Sequence, residues 1–275
     1  MRKYVLLAGA ALFFGGTATA APVTYGGSQS TIQYNLPYSN GCACWSGTQY
    51  INGTKVIYDS ATDTYTVRDT GNASTTSTFT GGVAGVDYTT YTKTSGSVTE
   101  TLTVLNKANS IVPLTYVTYG HWRRTGLTGL YPNNDTYIVF GDKTLRTAMP
   151  ISGTANYTTL YDGSFVNKDG VFVVGGSGTM TANFATGTVG YSVSLTGTPE
   201  AAGSNIAFSS WTGSGSIANG GPAFTTPANT NGNGYTLQQW GNFYGPAADE
   251  VGGNFSLRGS TAATRGSGTG AFVGN

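Results

Sequence analysis

The chain has 275 residues, a formal net charge of +1 and only 9% charged side chains, alongside 42 glycines, 18 tyrosines and 39% hydrophobic residues. Abundant Thr and Tyr with few helix formers exclude a helical fold, and the apolar share excludes charge-driven disorder. The lack of a basic run excludes a nucleic-acid binder working by phosphate neutralisation, and one histidine with twelve carboxylates leaves little for acid–base chemistry or a multi-ligand metal site, so no enzyme is expected.

Residues 1–20 read as a secretory signal peptide. Met1-Arg2-Lys3 is a basic start, 4–14 is an apolar run too short to span a bilayer, and Ala18-Thr19-Ala20 is a small-residue cleavage site. Cleavage after Ala20 leaves eleven basic against twelve acidic side chains, a net charge of −1. No Cys sits at the cleavage point, so lipidation there is not expected.

Residues 21–110 are expected to form a small β-rich unit. Cys42 and Cys44 flank Ala43 just before Trp45; a disulfide between them would close a very small loop, and reduced thiols or a soft-metal pair are the alternatives. Residues 55–58 and 64–67 read as one hairpin that brings Tyr58 near Tyr65. Asp59, Asp63 and Asp69 lack the Gly and bidentate Glu of a calcium loop and read as turn residues. The Gly/Ser/Thr-rich stretch 70–80 reads as a loop.

Pro113 suggests a boundary near 108–112, with a second unit over 111–275. Its candidate strands are 114–122, 135–141, 151–161, 171–184, 187–196, 205–218, 235–243, 250–258 and 269–273, close to the spacing of sandwiches and barrels. Met180, Ala182 and Phe184, then Val189, Tyr191, Val193 and Leu195, alternate with Thr, Ser, Asn and Gly, which suits an antiparallel sheet with one side in water. Repeated Gly-x-Phe steps suit a small, tapering barrel.

The most specific segment is Trp240-Gly241-Asn242-Phe243-Tyr244-Gly245-Pro246-Ala247-Ala248-Asp249-Glu250-Val251-Gly252-Gly253-Asn254-Phe255. It resembles the G-x-F-Y-G-P-x-A-x-E-x-G-G-x-F signature of the C-terminal β-barrel of transferrin-binding protein B and its relatives. Tyr119-Gly120-His121-Trp122, the run 176–184 and the closing 268–275 resemble flanking strands of that family, with Asn183 where Asp is common.

The resemblance covers about 114–275. It implies an all-β protein, an eight-stranded antiparallel barrel preceded by a handle-like β domain. It implies a secreted or cell-surface binding protein of a Gram-negative bacterium that captures haem, an iron-carrying host protein or another ligand. A Slam-type translocon and a TonB-dependent receptor are the implied partners. The missing lipidated Cys and the single lobe favour a soluble, hemophilin-like relative. An outer-membrane barrel, a porin or structural surface protein, is the alternative, although the serine- and threonine-rich faces lack a lipid-facing band.

Within the signature, Gly241, Phe243, Tyr244, Gly245, Pro246, Glu250, Gly252, Gly253 and Phe255 read as fold-defining, with Glu250 buried and hydrogen-bonded. His121 is the only neutral-imidazole candidate for an axial haem ligand, with Tyr119 as an aromatic wall and Arg123 and Arg124 for the propionates. The competing reading is a histidine satisfied by a polar neighbour. Strand parity sets Trp122 on the face opposite His121.

Overall fold

A computed structural model describes residues 21–34, 50–69, 75–129 and 131–275. The signal-peptide segment 1–20 and the pair Cys42 and Cys44 lie outside the described residues.

Thr, Tyr and Val dominate the first half and extend it into strands, because branched and aromatic side chains pack well on a pleated surface. The first sheet holds β1 (Val23–Tyr34), β2 (Tyr50–Asp59), β3 (Thr64–Asp69), β4 (Thr76–Phe79), β5 (Val83–Ala84), β6 (Tyr88–Ser95), β7 (Val98–Leu105), β8 (Val117–Thr125) and β9 (Asn133–Gly141). Their order is β4-β3-β2-β1-β9-β8-β7-β6-β5, and neighbours run antiparallel. The hairpin read from sequence is β2–β3, with Tyr58 directly opposite Tyr65. Residues 76–79, expected in a loop, form β4.

This sheet curls into a half-barrel around its own core of Val56, Val67, Phe79, Leu102, Trp122, Ile138 and Phe140. Phe79 packs edge-on to Trp122 at 6.3 Å, drawing β4 toward β8. Ser77 donates to Glu100 (2.6 Å) and accepts from Lys93 (3.0 Å), which ties β4 to β6 and β7 without strand pairing.

After a three-residue 3₁₀ turn (Arg146–Ala148), the second sheet holds β10 (Thr154–Asn167), β11 (Gly170–Asn183), β12 (Thr188–Pro199), β13 (Ile206–Ile217), β14 (Ala223–Thr225), β15 (Asn229–Thr230), β16 (Tyr235–Tyr244), β17 (Glu250–Gly259) and β18 (Gly266–Gly274). β18 pairs with β10, and β14 bridges β13 to β16, which closes an antiparallel barrel of eight strands. Met180, Ala182, Val189, Tyr191, Val193 and Leu195 all point inward, with Phe184 at the barrel end against the same core. Tyr161, Phe165, Phe208, Trp211, Phe243, Phe255 and Phe272 fill the interior, so the barrel has a packed core and no pore.

The sheets divide between Gly141 and Thr154, not near residue 110 where the sequence suggested a boundary. The candidate strands at 114–122 and 135–141 are β8 and β9 of the handle. Both are buried on both faces: one face covers the handle core and the other lies on the barrel wall. Such strands carry no alternation that would separate them from barrel strands. The remaining seven candidates are the long barrel strands, and the eighth is β14, too short to register as a periodic run.

Candidate functional site

The signature segment builds the junction between handle and barrel. Gly245 has φ 84°, and a Cβ there would lie 2.6 Å from the Tyr116 ring, so the turn needs glycine. Its N–H donates to the Asp142 carbonyl (2.9 Å), and its own carbonyl accepts from the Thr144 hydroxyl (2.7 Å).

Glu250, only 4% exposed, reaches from the start of β17 to the approach of β8. It accepts the backbone N–H groups of Thr115 (2.5 Å), Tyr116 (2.8 Å) and Val117 (2.9 Å). Gly252 lets the handle lie flat on the barrel: a Cβ there would come within 2.8 Å of Val117 and 3.0 Å of Val139. Gly241, Gly253, Phe243 and Phe255 are buried within the barrel, Tyr244 joins Tyr119, Tyr137 and Val273 in the seam cluster, and Pro246 is exposed at the turn. The signature therefore specifies how two sheets join.

The candidate haem residues sit in the same seam. The His121 Nε2 lies 2.9 Å from Oδ1 of Asp135, and its ring stacks on Tyr137 at 4.4 Å with an interplanar angle of 4°. Asp135 is fully buried and also accepts the Tyr34 hydroxyl (3.0 Å). Arg123 crosses to the barrel and donates twice to Glu200, at 2.6 and 2.7 Å, while Nη2 donates to Tyr34 (3.0 Å). Tyr119 donates to the half-buried Asp162 at 3.0 Å.

Burial favours a neutral imidazole, but the Asp135 carboxylate outweighs it and holds His121 above its ordinary value. Burial likewise opposes the Asp135 charge, and His121 and Arg123 overcome it, so this carboxyl sits below the usual range. Burial wins at Asp162, which is pushed up.

Trp122 and Arg124 lie on the opposite face, with the Arg124 guanidinium 4.5 Å from the Trp122 ring. The structure therefore brings Tyr119, His121 and Arg123 together in the seam and separates Arg124 from them. His121 has the polar neighbour of the competing sequence reading, and its Nε2 faces a carboxylate.

A different place holds the open space. A cavity of about 550 Å³ opens inside the curl of the handle, and none of Tyr119, His121, Arg123 and Arg124 lines it. Tyr25 of β1, Tyr58 of β2, Tyr65 of β3, Tyr91 of β6 and Phe140 of β9 supply aromatic walls. Tyr65 stacks on Tyr58 (4.5 Å, 29°) and stands nearly perpendicular to Tyr91 (5.4 Å, 68°) and Phe140 (6.2 Å, 70°). Ala84, a small residue of the opposite edge, also lines the space, and Gly82 lets the Tyr91 ring pack closely, since a Cβ there would lie 2.5 Å from it.

The β2–β3 turn places Asp63 at the mouth with φ 47°, a left-handed conformation that Asp tolerates better than most residues. Its Oδ1 accepts the hydroxyls of Tyr91 (2.9 Å) and Tyr58 (3.2 Å). Burial, with Asp63 adding to it, pushes the Tyr58 and Tyr91 phenols up, so both stay neutral donors.

Among the described residues, no group of three or more His, Cys, Asp or Glu could hold a metal ion. Asp59 instead accepts the Ala61 N–H (2.9 Å) within its own turn. Sequence reasoning noted Tyr58, Tyr65 and Asp63 but missed Tyr25, Tyr91 and Phe140. Their convergence depends on the curl of the sheet, and the only sequence signal was an unusual tyrosine content.

No protein-family model matches the chain, and no curated protein matches it. Solved structures do match over most of its length. A transferrin binding protein B variant from Haemophilus parasuis is 12% identical, with 93% of this chain and 76% of that one covered and a TM-score of 0.47. The haemoglobin receptor HpuA from Kingella denitrificans is 14% identical, covering 94% and 89%, with a TM-score of 0.38. The N-lobe of lactoferrin binding protein B from Moraxella bovis is 12% identical, covering 91% and 99%, with a TM-score of 0.39.

The chain is similar in fold to transferrin-binding protein B lobes.

Proposed function

We propose that this chain is a binding protein, exported to the surface or surroundings of a Gram-negative bacterium, that captures its ligand on the handle and uses the barrel as a rigid support. The observation that carries this reading is the aromatic cavity inside the handle, set beside a barrel whose own interior is filled. In this reading the seam residues, tied to one another by hydrogen bonds and ion pairs, hold the two sheets together.

Haem, an iron-carrying host protein or another host or environmental ligand is what the signature resemblance suggests, with a Slam-type translocon for export and a TonB-dependent receptor for delivery. The outer-membrane alternative is disfavoured by the outward wall of β12. There Thr188, Ser192, Ser194, Thr196 and Thr198 are exposed, while Val189, Tyr191, Val193 and Leu195 face inward.

Native mass spectrometry of the protein recovered from culture medium, with an absorbance scan, tests the reading. A mature chain beginning at Ala21 and carrying a non-covalent adduct supports it. A chain that carries none, and takes up neither haem, an iron-carrying host protein nor a small organic ligand, contradicts it. Titrating haem into the protein and its His121→Ala variant decides the residue: equal Soret responses remove His121 from any haem site.

A further inference from the structure

We propose that the handle cavity recognises a quaternary ammonium group, the head of a choline-like organic cation. The proposal rests on the reading that the handle is the binding unit, and it names the ligand chemistry of that same cavity.

Three observations converge. The first is the aromatic enclosure. Tyr25, Tyr58, Tyr65, Tyr91 and Phe140 all line the cavity, and their contacts with one another, 4.5–6.2 Å between ring centroids, hold the rings in place. Aromatic faces carry negative quadrupole charge and attract a cation that has shed its water.

The second is the charge at the mouth. Asp63 brings a carboxylate among these phenols, in a turn whose left-handed φ fixes it there.

The third concerns how that carboxylate is used. Oδ1 already accepts two phenol hydroxyls, at 2.9 and 3.2 Å. A guanidinium wants both carboxylate oxygens in a fork, and a primary ammonium wants three acceptors. A quaternary ammonium has no N–H to satisfy. It needs only the nearby negative charge and apolar contact for its methyl groups, which is what the phenol rings and the anchored Asp63 supply.

The volume of about 550 Å³ leaves room for a body behind the head. Lys107 also lines the cavity, and its Nζ donates to the Thr115 carbonyl at 2.7 Å. A cation on the lining suits a ligand whose body carries an anion, as phosphocholine does.

The test uses the mature full chain and isothermal titration with choline, phosphocholine and the neutral choline isostere 3,3-dimethylbutan-1-ol. Choline is expected to bind at least tenfold more tightly than the isostere. Asp63→Asn, which keeps a residue tolerant of the left-handed turn, should weaken choline at least fivefold and leave isostere binding unchanged. Tyr58→Leu should weaken choline in the same way.

Sedimentation with phosphatidylcholine but not phosphatidylglycerol vesicles would assign the headgroup to a lipid. Binding of free choline or phosphocholine without sedimentation would assign it to a solute. Equal affinity for choline and the isostere, or no binding of either, overturns the proposal. In that event, an adduct lost in Asp63→Asn and Tyr58→Leu protein from culture medium keeps the handle as the binding unit. An adduct retained in both variants removes that as well.

Discussion

Replacing Glu250 with alanine removes the acceptor that holds three successive backbone N–H groups at the entry to β8. Hydrogen bonds to a charged group contribute roughly 1.5–3 kcal/mol each, and a buried donor left unpaired costs about 1–3 kcal/mol. Thr115 is exposed and its N–H can turn to water, Tyr116 is half-buried, and Val117 is fully buried. Counting one full loss, one partial loss and one recovered by solvent gives about 3 kcal/mol. For a chain of this size that corresponds to a fall of about 6–12 °C in melting temperature.

The neighbouring Asp249→Ala is the control. That carboxylate is exposed and accepts only the Ala247 N–H at 3.1 Å, so its loss should cost no more than about 1 kcal/mol. Calorimetry of both variants, with amide hydrogen exchange at residues 115–117, checks the reasoning. Equal melting temperatures for the two variants, or unchanged protection at Val117, would refute it.

Three further outcomes follow from the seam and the cores. The folded-state pKa of His121 is raised, so its stabilising contribution is complete below its ordinary value near 6.5 and fades as pH rises through the folded value. Urea unfolding from pH 6 to 9 should therefore show a decline that His121→Gln flattens, and parallel curves would contradict the pairing with Asp135. Arg123→Ala should destabilise more than Glu200→Ala. The first withdraws a cation from the fully buried Asp135, whereas the second breaks only a partly exposed pair worth about 1 kcal/mol or less, and denaturant midpoints rank them. Phe255→Ala, which empties a fully buried site beside Tyr161, should cost about 3–5 kcal/mol by the same measurement.

Much of the barrel was legible in the sequence because strands such as β11 and β12, away from the handle, are buried largely on one face. β11 and β12 alternate apolar and hydroxyl side chains, and the inward set read from that alternation is the inward set observed. The signature segment identified Glu250 as buried and bonded, since a glutamate inside a dense Gly and aromatic pattern needs partners. The boundary between the sheets was not legible, because β8 and β9 are buried on both faces and local pattern does not say which sheet owns them.

The partners of His121 were equally hidden, although its opposition to Trp122 followed from strand parity. Asp135 reaches it from the adjacent strand, and the groups behind that pair, Tyr34 on Asp135 and Glu200 on Arg123, come from distant parts of the chain. The cavity is hardest of all to read, because Tyr25, Tyr65, Tyr91 and Phe140 meet only after nine strands have curled.

The claim that the handle captures a ligand is tested most directly by filling its cavity. Ala84 lines the space and is itself exposed, so Ala84→Trp can place an indole there without disturbing a packed core. Native mass spectra of wild-type and Ala84→Trp protein from the same medium should show a non-covalent adduct on the first and none on the second, at equal melting temperatures. An adduct of the same mass and occupancy on both would contradict ligand capture by the handle.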